Sequence, residues 1–182
     1  MKNIHVKKIL SVVALLVITL ALPSAGECLP SAPRGETVEV RVLRIVDGDT
    51  IRVDFPVLGD TSVRFIGIDT PESKKNSRAE LQSREERKDV DTIVAMGKRA
   101  SKHLGSMVRR GDTVILEFDA ARQDKYGRLL AYVWKDGEML NARMVADGYA
   151  YPLTIAPNVK YADVFVSLFR EAREKGKGLW GR

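Results

Sequence analysis

The chain has 182 residues, 45% of them hydrophobic and 30% charged, with a formal charge of +6. This is the composition of a globular protein and the length of one domain, and the modest basic excess permits a nucleic-acid partner without demanding one. A single cysteine and two histidines exclude an internal disulfide, a cysteine-based zinc site and a histidine-rich metal centre.

The chain starts with a basic stretch holding Lys2, Lys7 and Lys8, then about 14 apolar residues (ILSVVALLVITLAL), then small residues in PSAGE. The apolar run is short for a membrane span. Residues 1–26 therefore read as a secretory signal peptide cut near Ser24 to Gly26, with an uncleaved anchor as the alternative. Export would place the mature protein outside the cell, or in the periplasm or cell envelope. Cys28 follows Glu27 rather than a small residue, which argues against a lipid-anchored cysteine. Without the three leader lysines, 27 basic residues face 24 acidic ones. Residues 27–36 read as a short linker, and residues 37–182 as the folded domain.

Residues 37–46 (TVEVRVLRIV) alternate, with Val38, Val40 and Val42 on one face, and predict a strand. DGDT turns the chain, TIRVDF alternates again through Ile51, Val53 and Phe55, and TSVRFIGI predicts a third strand after the PVLGD loop. Residues 73–90 are densely charged with mixed signs and read as an exposed loop with at most a turn or two of helix. From Asp91, Ile93, Met96, Ala100, Leu104 and Met107 recur at three and four, an amphipathic helix ending near Gly111. TVILEF and RLLAYVW predict a fourth and a fifth strand around the loop ARQDKYG. A short helix over 140–147 closes at Gly148, and YAYPLTIAPN reads as irregular. A last helix carries Tyr161, Val164, Phe165, Leu168 and Ala172 on one side, and Trp180 is expected to fold back on the core. Three strands, a helix and two more strands fit an α+β, mainly β fold. The expected architecture is a five-stranded barrel of the OB type with about three helices packed outside.

Much hydrolytic chemistry is ruled out by what is missing. Once the leader is removed, His103 is the only histidine, it lies inside a helix, and no carboxylate partner is evident from the sequence. No phosphate-cradling G-x-x-x-x-G-K-[ST] loop occurs. Carboxylates and arginines remain. Asp47 and Asp49 lie at the first hairpin tip, and Asp69 and Glu72 at the end of the third strand. In a barrel these two turns share one rim, and their oxygens suit Ca²⁺ or Mg²⁺. Strand parity places Arg64 and Asp69 on opposite faces, so they converge only if the strand bends, for which Gly67 is the candidate. Singly, each motif has an ordinary reading: DGDT as a hairpin turn, DTP as a turn, Arg64 as a solvated strand residue, DKYGR as a loop.

Together, VDGDTIRV, VRFIGIDTPE and DKYGRLLAYVW, with the closing GKGLW, resemble the staphylococcal-nuclease (thermonuclease) family over about Val38 to Trp180. The resemblance implies an OB barrel binding one Ca²⁺ through Asp49, Asp69 and the backbone carbonyl of Thr70. It implies a catalytic trio of Arg64, Glu72 and Arg128, with Lys125 and Tyr126 at a terminal phosphate of the bound nucleotide. The implied activity is Ca²⁺-dependent, sugar-nonspecific hydrolysis of DNA and RNA that leaves 3′-phosphate ends, with no stable protein partner and a monomer expected. The chain departs from the better-known members in two places. LTIAPN lacks the two tyrosines they carry near the nucleotide base, leaving Tyr149 and Tyr151 as stacking or core candidates. The charged insertion after Glu72 is also longer, and reads as a solvated loop or a nucleic-acid contact. A non-catalytic nucleic-acid-binding module on the same barrel is the rival reading, and a calcium-binding envelope protein is a third.

Overall fold

Alternating burial makes the first strands. In β1 (Thr37–Ile45), Val40 and Val42 enter the interior while Glu39 and Arg41 face solvent. β2 (Thr50–Phe55) buries Ile51 and Val53, and β3 (Gly59–Phe65) buries Val63 and Phe65. A computed structural model describes residues 29–181, so the expected leader and Cys28 lie outside the described residues.

The third predicted strand breaks in two. β3 ends at Phe65, and a three-residue β4 (Gly67–Asp69) leaves for a separate two-stranded sheet. The hinge is Gly67, at φ +79°, where a Cβ would lie 2.3 Å from the Phe165 ring. A side chain there would be both strained and obstructed. β4 pairs antiparallel with β8 (Tyr151–Leu153), so part of the segment expected to be irregular is a strand.

The charged insertion also folds further than expected. Ser77–Glu86 form a ten-residue helix, α1, capped by the Asn76 side chain on the Ala79 amide and closed by Arg87 in the left-handed region. Mixed charge hid a minimal buried stripe, Ala79 and Gln82, which turns toward α2 (Val90–Met107). Ala79 joins Ile93 and Val94 in a small satellite core. The expected set of about three outer helices is thus four: α1, α2, α3 (Leu140–Ala146) and α4 (Ala162–Glu174).

β5 (Thr113–Glu117) and β6 (Leu129–Lys135) complete the barrel. β1 pairs antiparallel with β2 and β5, β2 with β3, and β5 with β6, while β3 closes in parallel onto β6 through Val63↔Leu129, Arg64↔Leu130 and Phe65↔Ala131. The closed five-stranded barrel matches the expected OB type. β7 (Glu138–Met139) only extends β6 at its edge. One core cluster fills the barrel and reaches Ala100 and Leu104 of α2 and Phe165 and Leu168 of α4. The terminal turn, Gly178–Trp180, folds back as expected: the Trp180 ring stands edge-on to Tyr151 at 4.9 Å and to Phe169 at 5.4 Å. Among the described residues no helix is long and apolar enough to cross a membrane.

Candidate active site

The two acidic turns meet at one barrel rim, against α2. The carboxylate of Asp49 is 1% exposed. Its Oδ2 accepts from the Thr70 backbone N–H at 2.8 Å and from the Thr70 hydroxyl at 3.1 Å, which ties the first hairpin to the turn after β4. Its Oδ1 accepts from the Thr50 hydroxyl and from Nη1 of Arg64. Arg64 Nη2 donates to Asp69 Oδ1 at 2.5 Å and to the Ile68 carbonyl at 3.2 Å. One guanidinium therefore bridges Asp49 and Asp69, and the break at Gly67 is what lets Arg64 reach a carboxylate five residues on. Gly97 of α2 completes the arrangement. A Cβ there would lie 2.3 Å from the Glu72 carbonyl oxygen and 2.5 Å from that of Pro71, so the turn packs directly on the helix backbone.

The charge balance of this floor is incomplete. Burial pushes the Asp49 carboxyl up to about 7, against the pull of Arg64, and the neighbouring Asp47 and Asp69 add to the rise. Burial works against the Arg64 charge too, but Asp49 and Asp69 outweigh it and raise its pKa. Asp49 and Asp69 share the buried guanidinium of Arg64, and Asp69 also meets the more exposed Arg78, so the three carboxylates Asp49, Asp69 and Glu72 face two guanidiniums. Among the described residues, no group of three or more His, Cys, Asp or Glu converges as a ready-made metal cluster. The Asp49 and Asp69 carboxylates and the Thr70 carbonyl are hard oxygen donors, of the chemistry that suits a divalent Ca²⁺- or Mg²⁺-like cation.

Beside this floor lies a cleft of about 830 Å³. Its lining includes Arg64, Asp69 and Glu72, then Lys125, Tyr126 and Arg128 of the loop before β6, and the apolar Leu153 and Ile155. Arg128 is held by Asp124 of its own loop, whose Oδ2 accepts from Nε at 2.7 Å and lies 2.7 Å from Nη2. Burial works against the Asp124 charge, yet the bonds from Arg128 and from the backbone of Arg128 and Tyr126 lower its pKa. Tyr126 is 73% exposed, and its ring lies under the cations of Lys125 at 5.1 Å and Arg128 at 5.7 Å.

Six of the eight sequence-derived residues thus line one cleft, and the other two, Asp49 and Thr70, lie buried beside it. The stacking candidates do not. Tyr149 stacks on His103 at 4.1 Å, and Tyr151 packs on Trp180 and Phe169. His103 has the carboxylate partner that the sequence did not show: Asp147, at the end of α3, lies 2.8 Å from its Nε2, and neither residue lines the cleft.

Asp124, which lines the cleft and holds Arg128, was missed, and so were two residues that reach the acidic turn. Arg78 Nη2 donates to Asp69 Oδ2 at 2.9 Å, and Gln82 bonds to Asp69, Thr70 and Glu72. Both lie on α1, in the segment read as solvated. The available signal was the Asn76 cap followed by Ala79 and Gln82, two small or uncharged residues three apart in a charged run.

The chain is similar in sequence to a nuclease family and to proteins named as nucleases. The profile described as staphylococcal nuclease homologue matches residues 62–182. The chain is 37% identical over 153 residues to a thermonuclease of Staphylococcus intermedius, covering 82% of this chain and 79% of that protein. It is 31% identical over 186 residues to a thermonuclease of Staphylococcus hyicus, covering 99% of each. It is 38% identical over 149 residues to the SPbeta prophage-derived endonuclease YokF of Bacillus subtilis, covering 81% of this chain and only 45% of that relative's length.

Proposed function

Because the chain belongs to the staphylococcal nuclease family, we propose that it is an exported, Ca²⁺-dependent nuclease. It hydrolyses phosphodiester bonds of both DNA and RNA and leaves 3′-phosphate ends. The observation that carries the reading is that two carboxylates of the acidic floor, Asp69 and Glu72, and two guanidiniums, Arg64 and Arg128, line one cleft. A site that only bound nucleic acid would need the cations and not the acids.

A phosphodiester is anionic and gains negative charge on the way to its transition state. The planar forks of Arg64 and Arg128 suit phosphate oxygens and counter that added charge. Arg128 is preset for this by Asp124, and Arg64 by Asp49 and Asp69. Asp49, Asp69 and the Thr70 carbonyl would hold Ca²⁺, and a divalent ion there would supply charge neutralisation at a phosphate oxygen. Glu72 is the general base that takes the proton of the attacking water. Its carboxylate is anchored by Asn76 Nδ2 at 3.0 Å and lies 3.8 Å from Arg78 Nε. Lys125 and Tyr126 receive a terminal phosphate at the outer rim. The mature enzyme begins near Gly26, acts as a monomer and works outside the cytoplasm.

The test is cleavage of single-stranded DNA and of RNA by the wild type with Ca²⁺ and with EDTA, and by Glu72→Ser with Ca²⁺. Cutting of both substrates by the wild type with Ca²⁺ alone, and a loss of about 10²–10⁴ in rate for Glu72→Ser, is the expected result. Equal DNA binding by both proteins with no cleavage by either sinks the reading.

A further inference from the structure

Helix α1 is a poor candidate for apolar docking. Of its ten residues only Ala79 and Gln82 are buried, and Ala79 alone supplies apolar contact to α2. What else holds it is polar, and it converges on the acidic turn. Gln82 is 6% exposed. Its Oε1 accepts the Glu72 backbone N–H at 2.9 Å, and its Nε2 donates to the Thr70 carbonyl at 3.3 Å and lies 3.4 Å from Asp69 Oδ2. One amide thereby joins three residues of a four-residue turn. Only an amide can accept from one of them and donate to the other two. Arg78, one turn earlier on the same helix, reaches Asp69 Oδ2, and the cap residue Asn76 reaches Glu72 Oε2.

We propose that α1 is a brace for the acidic turn and that Gln82 is its positioning residue. It holds the Glu72 backbone and the Thr70 carbonyl where the site needs them. The proposal rests on the nuclease reading only for what the turn does, not for how it is held. The physical reason is one of satisfaction and reach. The Glu72 N–H and the Thr70 carbonyl belong to a turn that must leave the sheet, so no strand partner is available to them. Left unpaired away from water, each is costly, and the turn relaxes to find water. A relaxation of about 1 Å at the Glu72 carboxylate is enough to lower the rate about a hundredfold.

Gln82→Met keeps the length of the side chain and removes both halves of the amide. Gln82→Glu keeps an acceptor for the Glu72 N–H and loses the donor to Thr70. Three quantities are read: Glu72 amide-proton exchange by NMR without Ca²⁺, Ca²⁺ affinity by calorimetry, and kcat and KM for DNA cleavage at saturating Ca²⁺. For Gln82→Met, Glu72 exchange rises at least about tenfold while the Thr70 amide, bonded to Asp49, stays unchanged. Ca²⁺ affinity falls several-fold, and kcat falls about 10- to 100-fold with KM within about twofold. Gln82→Glu keeps the Glu72 amide protected and still loses at least about fivefold in kcat. Gln82→Met with Glu72 exchange and kcat both within about twofold of wild type overturns the brace. Should Gln82→Met fail to fold, Gln82→Glu decides by the same kcat criterion. A wild type that cuts no DNA defeats the nuclease reading, while Glu72 exchange still decides the brace.

Discussion

The floor and the outer rim of the cleft are held in opposite ways. Asp49 is buried, and the four hydrogen bonds to its carboxylate come from Thr50 at the start of β2, Arg64 of β3 and Thr70 after β4. Glu72 and Pro71 rest on Gly97 of a helix distant in sequence. The rim is a local structure. Asp124 and Arg128 close it by a backbone bond of 3.1 Å and a side-chain pair four residues apart, and Tyr126 projects largely into solvent. The floor must present charges that repel one another, so it needs the tertiary structure to hold them. The rim carries cations that water already accommodates, so a short loop suffices.

The comparison is tested most strongly by removing one guanidinium from each region. Arg64→Ala and Arg128→Ala should each lower the cleavage rate about 10²–10³-fold. Stability should separate them. Arg64→Ala leaves buried Asp49 without its cation and costs about 3 kcal/mol in urea unfolding with EDTA, part of it recovered on adding Ca²⁺. Arg128→Ala should stay within about 1 kcal/mol of wild type, because its partner is near the surface. Equal stability losses would erase the distinction.

A substitution in the floor that touches no charge sharpens it. Gly97→Ala should push the Pro71–Glu72 backbone off α2 and cost about 1–3 kcal/mol, with weaker Ca²⁺ binding by calorimetry and Lys125 and Arg128 undisturbed. Tyr126→Ala is the smallest expected effect. KM for DNA should rise about fivefold, equivalent to about 1 kcal/mol, with Tm unchanged.

Legibility in the sequence follows the same division. The barrel strands were readable because burial of one face forces alternation, as in Ile51, Val53 and Val63. DKYGR was readable as a loop because its contacts are local. The α1 helix was not, since a helix that buries only Ala79 and Gln82 leaves almost no periodic signal, and its docking depends on bonds to a turn ten residues away. β8 was missed because its strand identity comes from pairing with β4, not from its own residues Tyr151, Pro152 and Leu153. His103 gained Asp147 only when α2 and α3 came together.

By itself the order of residues determined the strands, the principal helices and the types of group that could do chemistry, because periodicity and local turn preference act over a few residues. Only the folded chain decided that Asp49 and Asp69 share Arg64, that the strand breaks at Gly67 to allow it, and that Gln82 stands beneath Glu72. Electrostatic repulsion and hydrogen-bond satisfaction act through space, and residues far apart in sequence do not bring their charges together until the barrel closes.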